Sequence, residues 1–193
     1  MTDPTAGGPR ADYFLLTDPE WEKPEDAGRP PVDAVIGRWP VDEHGVVGLF
    51  RSNPGYRPRY GSSPSDPIDV LLRLAMRGDV PMEQLQLILR DSMFDLALNG
   101  DGRPLIVKSP EGVPCAVVTT SGPHRERVQS PDWARIDVTE LALRLTDGVD
   151  VLINPNGPSS VRLTASFVQE TVLMTDEDIA TAYAEIRAEA TPD

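Results

Sequence analysis

The stretch "DGVDVLINPNGPSSVRL" (Asp147–Leu163) decides how the chain is read. Val149, Val151, Leu152 and Ile153 form a short apolar run, and Asn154-Pro155-Asn156-Gly157 follows at once. An apolar run of this length, closed by turn residues, predicts a buried strand over 149–153. Asn154 can bond the backbone two residues on, Pro155 fixes φ and stops a ladder, and Gly157 completes a structural turn. "SVRLT" then supplies a second strand, 161–164, which either pairs back or crosses over. The two prolines remove N–H groups that a phosphate nest would use, so the turn is not an anion loop.

The flanking sequence alternates in type. Upstream, "PLIVKS" and "VPCAVVTT" predict strands 104–109 and 113–120 around the turn Pro110-Glu111-Gly112. A polar loop, "SGPHRERVQSPDW", leads to a strand at 133–137. Asp137 and Glu140 have capping-box spacing for a helix over 139–146. Earlier still, Asp66 or Ser65 caps a helix over 67–77, with Pro67 at its first position and Gly78 at its end. Leu85, Ile88, Leu89, Ser92 and Leu96 keep helical spacing, which predicts a second helix, 82–98, closing at Asn99-Gly100. "GDVP" joins the two as an αα-hairpin. "AVIGRWPV" and "GVVGLFRS" flank "DEHG" as a strand hairpin. Downstream, "ASFVQETVL" begins a helix, and Thr175 caps a last, acidic one with Ile179, Ala182, Tyr183 and Ile186 on one face. The fold class is therefore α+β, with a mainly antiparallel sheet carrying the αα-hairpin and a short helix. The expected organisation is a Pro-rich acidic arm over 1–33, one domain over 34–173, and a peripheral acidic helix and tail over 174–193. Within the arm, "YFLL" (Tyr13–Leu16) and Trp21 offer the anchoring contacts.

Charge narrows the function classes. The formal net charge is −13, which sets the chain against nucleic acid and anionic membranes. Residues 1–33 hold eight acids against three bases, and 175–193 hold six against one, so the middle is close to neutral. No run approaches the ~18 apolar residues of a membrane span, and "MTDPTAGGPRADY" lacks a signal-peptide pattern, so the expected location is cytoplasmic. The single cysteine, Cys115, excludes an internal disulfide and reads as a buried small hydrophobe.

The inventory for catalysis is thin. His44 and His124 have no His or Cys neighbour at ligand spacing, so no metal or cofactor is expected. Ser121 lies three residues before His124, but no third orienting group or oxyanion loop accompanies the pair. Asp176, Glu177 and Asp178 suit a helix N-terminus without further purpose. "RSNPGYRPRY" is different: Tyr56, Arg57, Arg59 and Tyr60 interleave favoured interface residues on a segment stiffened by Pro54 and Pro58. These four are the candidate partner-binding residues. The expectation is that Tyr56→Ala with Arg59→Ala weakens binding by about 2 kcal/mol or more while the melting temperature barely moves.

Four segments, "AVIGRWPVDEHGVVGLFRSNPGYRP", "SPSDPIDVLLRLAMRGDV", "LQLILRDSMFDLALNGDGRPLIVKSPEGVPCAVVTTSGPHR" and "LTDGVDVLINPNGPSSVRLT", together resemble the type VII secretion system-associated proteins of high-GC Gram-positive bacteria. The resemblance spans roughly 34–170, and 16 Arg against two Lys fits a high-GC genome. The part over 103–173 is also similar to the SseB-type domain, in which an apolar strand followed by Asn-Pro and a small residue recurs. What the resemblance implies is a non-enzymatic cytoplasmic accessory protein whose partner is a secretion-system component or substrate. It carries no catalytic residues over. Two alternatives stand beside it: a small-molecule or nucleotide sensor or cryptic enzyme, and an immunity protein for a basic toxin.

Overall fold

The computed structural model describes residues 12–21 and 29–189. Its α+β architecture has a three-stranded and a six-stranded sheet, both mostly antiparallel. The first comprises β1 (Asp12–Thr17), β2 (Val35–Val41) and β3 (Arg51–Ser52) in that order. β2 leads into the expected turn, where Asp42 Oδ1 accepts from the N–H groups of His44 and Val46, and Val41 bridges Val47. Phe50 packs edge-on against Trp39 at 4.8 Å. That contact requires Gly37, since a Cβ there would stand 2.1 Å from the Phe50 ring.

β1 corrects the expected organisation. "YFLL" does not tether an arm; it is a strand, with Phe14 opposite Trp39 and Leu16 opposite Gly37. Leu16 enters the same core as Ile36, Trp39 and Leu71. A four-residue apolar patch looks weak in sequence because its partner strand lies some twenty residues on. Of the expected arm, 1–11 and 22–28 lie outside the described residues, as does 190–193.

The helix α1 (Pro67–Arg77) has the expected bounds. Asp66 Oδ1 accepts from Asp69 N–H at 3.0 Å, and Gly78, at φ 76°, ends the helix by donating back to Ala75 and Leu74. The second helix does not run to residue 98. α2 (Met82–Arg90) stops at Asp91, and Phe94–Leu98 forms β4. β4 is flanked by β7 (Asp132–Ile136) and β6 (Pro114–Thr119), so it gains ladder bonds on both edges. β5 (Ile106–Lys108) pairs the start of β6. β8 (Asp150–Ile153) lies parallel to β6, and β9 (Val161–Leu163) pairs back on β8.

The crossover from β6 to β8 contains a helical turn, α3 (Gly122–Arg125), within the expected polar loop, then β7 and α4 (Val138–Arg144). Asp137 caps α4 through Glu140 N–H at 2.7 Å. α5 (Ala165–Leu173) follows β9, and α6 (Asp176–Glu189) opens with Thr175 and Asp178 bonded reciprocally. The last helix is not peripheral throughout: Ala182, Tyr183 and Ile186 are buried in the common core against α2. No helix among the described residues is long and apolar enough to cross a membrane.

Candidate functional site

The parallel pair β6–β8 brings two chain ends side by side. Crevices at the carboxyl ends of parallel strands are where open sheets bind ligands. Here the place is filled by side chains. Asn154, just beyond β8, donates its N–H to Val118 at 2.9 Å and turns into the left-handed region at φ 49°. Its side chain is fully buried and does not bond its own backbone two residues on, as the sequence suggested. Oδ1 instead accepts from Thr120 N–H at 3.0 Å, because the parallel register sets the first amide beyond β6 against it. Thr120 Oγ1 donates to Asp66 Oδ2 at 2.7 Å and so accepts from Asn154 Nδ2 at 3.0 Å. Pro155 is buried, and Gly157 N–H donates to the Asn154 carbonyl at 3.1 Å.

Asp69, one turn into α1, is the centre of the cluster. Its side chain is 1% exposed, and Arg73 forks onto it at 3.0 and 3.2 Å. Ser65 N–H donates to Oδ2 at 2.8 Å, and His124 Nε2 stands 3.2 Å from the same oxygen. Burial would push the Asp69 carboxyl up, but His124, Arg73, Ser159 and Ser65 outweigh it and hold it well below the usual carboxylate range. Arg73 continues the chain of contacts to Ser62 O and to Glu20 at 3.7 Å. Ser62 also donates to Glu20, at 2.9 Å. A polar seam thus runs from the segment after β1, across α1, to the ends of β6 and β8.

Two chemistries can be tested against this geometry. Ligand atoms of Asp66, Asp69 and His124 lie within 4.8 Å of one another, a spacing compatible with a cation. The positive charge is already supplied by Arg73, while Asp66 takes the Asp69 amide on one oxygen and the Ser65 and Thr120 hydroxyls on the other. For acyl transfer, a histidine needs an orienting carboxylate on one nitrogen and a nucleophile on the other. His124 has Asp69 Oδ2 3.2 Å from Nε2, but its buried Nδ1, beside Gly157, has no hydrogen-bond partner, and so no nucleophile, among the described residues. Ser121 Oγ pairs with Ser65 Oγ at 2.8 Å rather than with His124. At 3% exposure the imidazole is shut from solvent. The arrangement holds three segments together. His44 sits apart, exposed in the turn after β2 beside Glu43.

The loop chosen from sequence divides. Arg57, Arg59 and Tyr60 are exposed, with the Arg59 guanidinium 5.5 Å from the Tyr60 ring and Arg57 bonded to the carbonyls of Pro54 and Tyr56. Arg57 and Arg59 line a small cleft of about 240 Å³ with Trp21 and Asp33. Tyr56 is not an exposed anchor. It is 9% exposed, and its hydroxyl shares its one proton between two acceptors, Asp18 Oδ2 at 3.0 Å and Pro64 O at 2.8 Å. Burial, and then the Asp18 charge, push its phenol up. Truncating Tyr56 would therefore open the core, so the expectation of an unchanged melting temperature does not hold. What sequence reasoning passed over is Asp69, Arg73 and Thr120. The usable signal was the i, i+4 spacing of Asp69 and Arg73, with the aspartate inside the apolar run Ile68–Leu72.

No family model, no curated protein and no solved structure matches the chain.

Proposed function

We propose that this chain is a non-enzymatic cytoplasmic accessory protein of a type VII secretion system and works by contact with another protein. The observation that supports contact over catalysis is the Asp66–Asp69–His124 cluster. It is the one group of three or more His, Cys and acidic residues at ligand spacing among the described residues. Its two carboxylates accept from backbone amides, hydroxyls and Arg73, which ties α1 to the end of β6 and, through Thr120, to the turn after β8. The secretion context rests on the sequence resemblance over 34–170. Affinity capture from an actinobacterial host that encodes the chain, followed by mass spectrometry, tests both parts. Secretion components or substrates should be enriched over an unrelated acidic control protein. A profile indistinguishable from that control would overturn the reading.

A further inference from the structure

We propose that the outer face of the β1–β2–β3 sheet is a docking groove for an acidic peptide segment with apolar anchors, contributed by a partner protein. This rests on the protein-contact reading and names the site and the chemistry of the partner. The face holds a groove of about 520 Å³, with Tyr13 and Leu15 exposed from β1 and Val32 at 72% exposure on its rim. Three exposed arginines, Arg29, Arg38 and Arg51, line it, and no carboxylate does among the described residues. That is a positive island on a chain of net charge −13.

None of these arginines forms an ion pair with a carboxylate among the described residues. Arg38 instead lies 5.5 Å from the Tyr13 ring centroid, which keeps its charge at the groove wall. Its cross-strand neighbour compounds this. Arg38 and Arg51 are directly opposed in the β2–β3 register, and like charges so placed repel. The comparable pair in the larger sheet, Asp95 and Arg135, has opposite signs and closes to 3.2 Å. An anionic side chain laid between Arg38 and Arg51 would turn that repulsion into attraction, while Leu15 and Val32 take up neighbouring apolar side chains. A short acidic peptide fits these terms better than a nucleic acid, whose long run of phosphates would meet the repulsion of the whole chain.

The test is fluorescence anisotropy on the full chain. The probes are labelled peptides alternating Glu with Leu, Lys with Leu, and Glu with Ser, beside a labelled oligothymidylate. The Glu/Leu peptide should bind at least tenfold more tightly than any other probe, and added salt should weaken it. Arg51→Glu should cost at least tenfold in that binding yet melt at or above the wild-type temperature, because it creates an opposite-charge pair with Arg38. Val32→Asp, outside the strands, should give a comparable loss. Equal binding by either variant, a preference for the oligothymidylate, or a lower melting temperature for Arg51→Glu would each overturn the assignment. Host capture separates the two proposals. If secretion components are captured equally by wild type and Arg51→Glu, the groove falls and the contact reading stands. If the peptide binds in an arginine-dependent way but host capture yields nothing, the secretion reading falls alone.

Discussion

Asp69 shows how one buried charge ties the chain together. Its carboxylate receives Arg73 from the next turn of α1, Ser65 from just before the helix, and the approach of His124 from the crossover after β6. Removing one partner of a buried ion pair leaves the other uncompensated, at a cost of about 3–5 kcal/mol. Asp69→Asn keeps the shape but not the charge, so it should lower stability by roughly that amount at pH 7. The pH dependence has a definite sign. A carboxyl held below its ordinary value in the folded state stabilises the fold fully above the unfolded value, about 3.9, and loses that contribution as pH falls toward the folded value. Urea denaturation at pH 7, 5 and 3 should therefore show a wide gap between wild type and Asp69→Asn at the first two, and a narrower one at pH 3. A gap independent of pH would assign the effect to packing. At this scale the sequence was least informative. Tyr56 and Tyr60 look alike in "YRPRY", yet one is buried because the chain brings Asp18 and the Pro64 carbonyl to its hydroxyl. Both partners are set by tertiary structure, not by neighbours in the sequence.

At the scale of the element, caps and turns were legible because their chemistry is local. Asp66, Asp137 and Thr175 each bond an amide three residues on, and Gly78 and Gly112 adopt positive φ where turns were expected. The failure at 82–98 is equally physical. Leu85, Ile88, Leu89, Ser92 and Leu96 keep a period near 3.6, but Phe94, Leu96 and Leu98 keep a period of two, and the patterns share Leu96. The contest is settled by non-local pairing. As a strand, β4 meets β7 over five residues and β6 on its other edge, with Phe94 and Leu96 almost wholly buried. Leu96→Ala should therefore cost about 2–5 kcal/mol, the range for a truncated core leucine. Met93→Asp, at an exposed position between α2 and β4, should stay within about 0.5 kcal/mol. Denaturant midpoints compare the two. Similar losses would mean that the chain between α2 and β4 is held more tightly than its exposure implies.

Across the whole molecule, charge and packing are distributed in ways that composition alone could not show. Four acids, Glu83, Glu170, Asp178 and Glu185, line a groove around Leu173 and Met174, while the β1–β2–β3 face carries arginines that have no ion-pair partner among the described residues. The smaller sheet is no appendage. β1 supplies Leu16 to the common core, Asp18 receives the Tyr56 hydroxyl, and Glu20 closes the Arg73 end of the polar seam. These contacts lie before residue 33, the boundary suggested by the proline and charge statistics. A chain beginning at residue 34 would leave β2 without its partner on one edge, expose part of Trp39, and leave the Tyr56 hydroxyl without its carboxylate. The unpaired strand edge and the uncovered apolar face are both recognised aggregation hazards. Deleting residues 1–33 should therefore lower the melting temperature by several degrees, since about 1 kcal/mol moves a domain of this size by some 2–4 °C. Deleting only residues 1–11 spares β1 and is the matched comparison. Thermal melts and light scattering of the two truncations against the full chain decide the matter. If the longer deletion melts like the full chain and stays monodisperse, β1 contributes nothing to the fold.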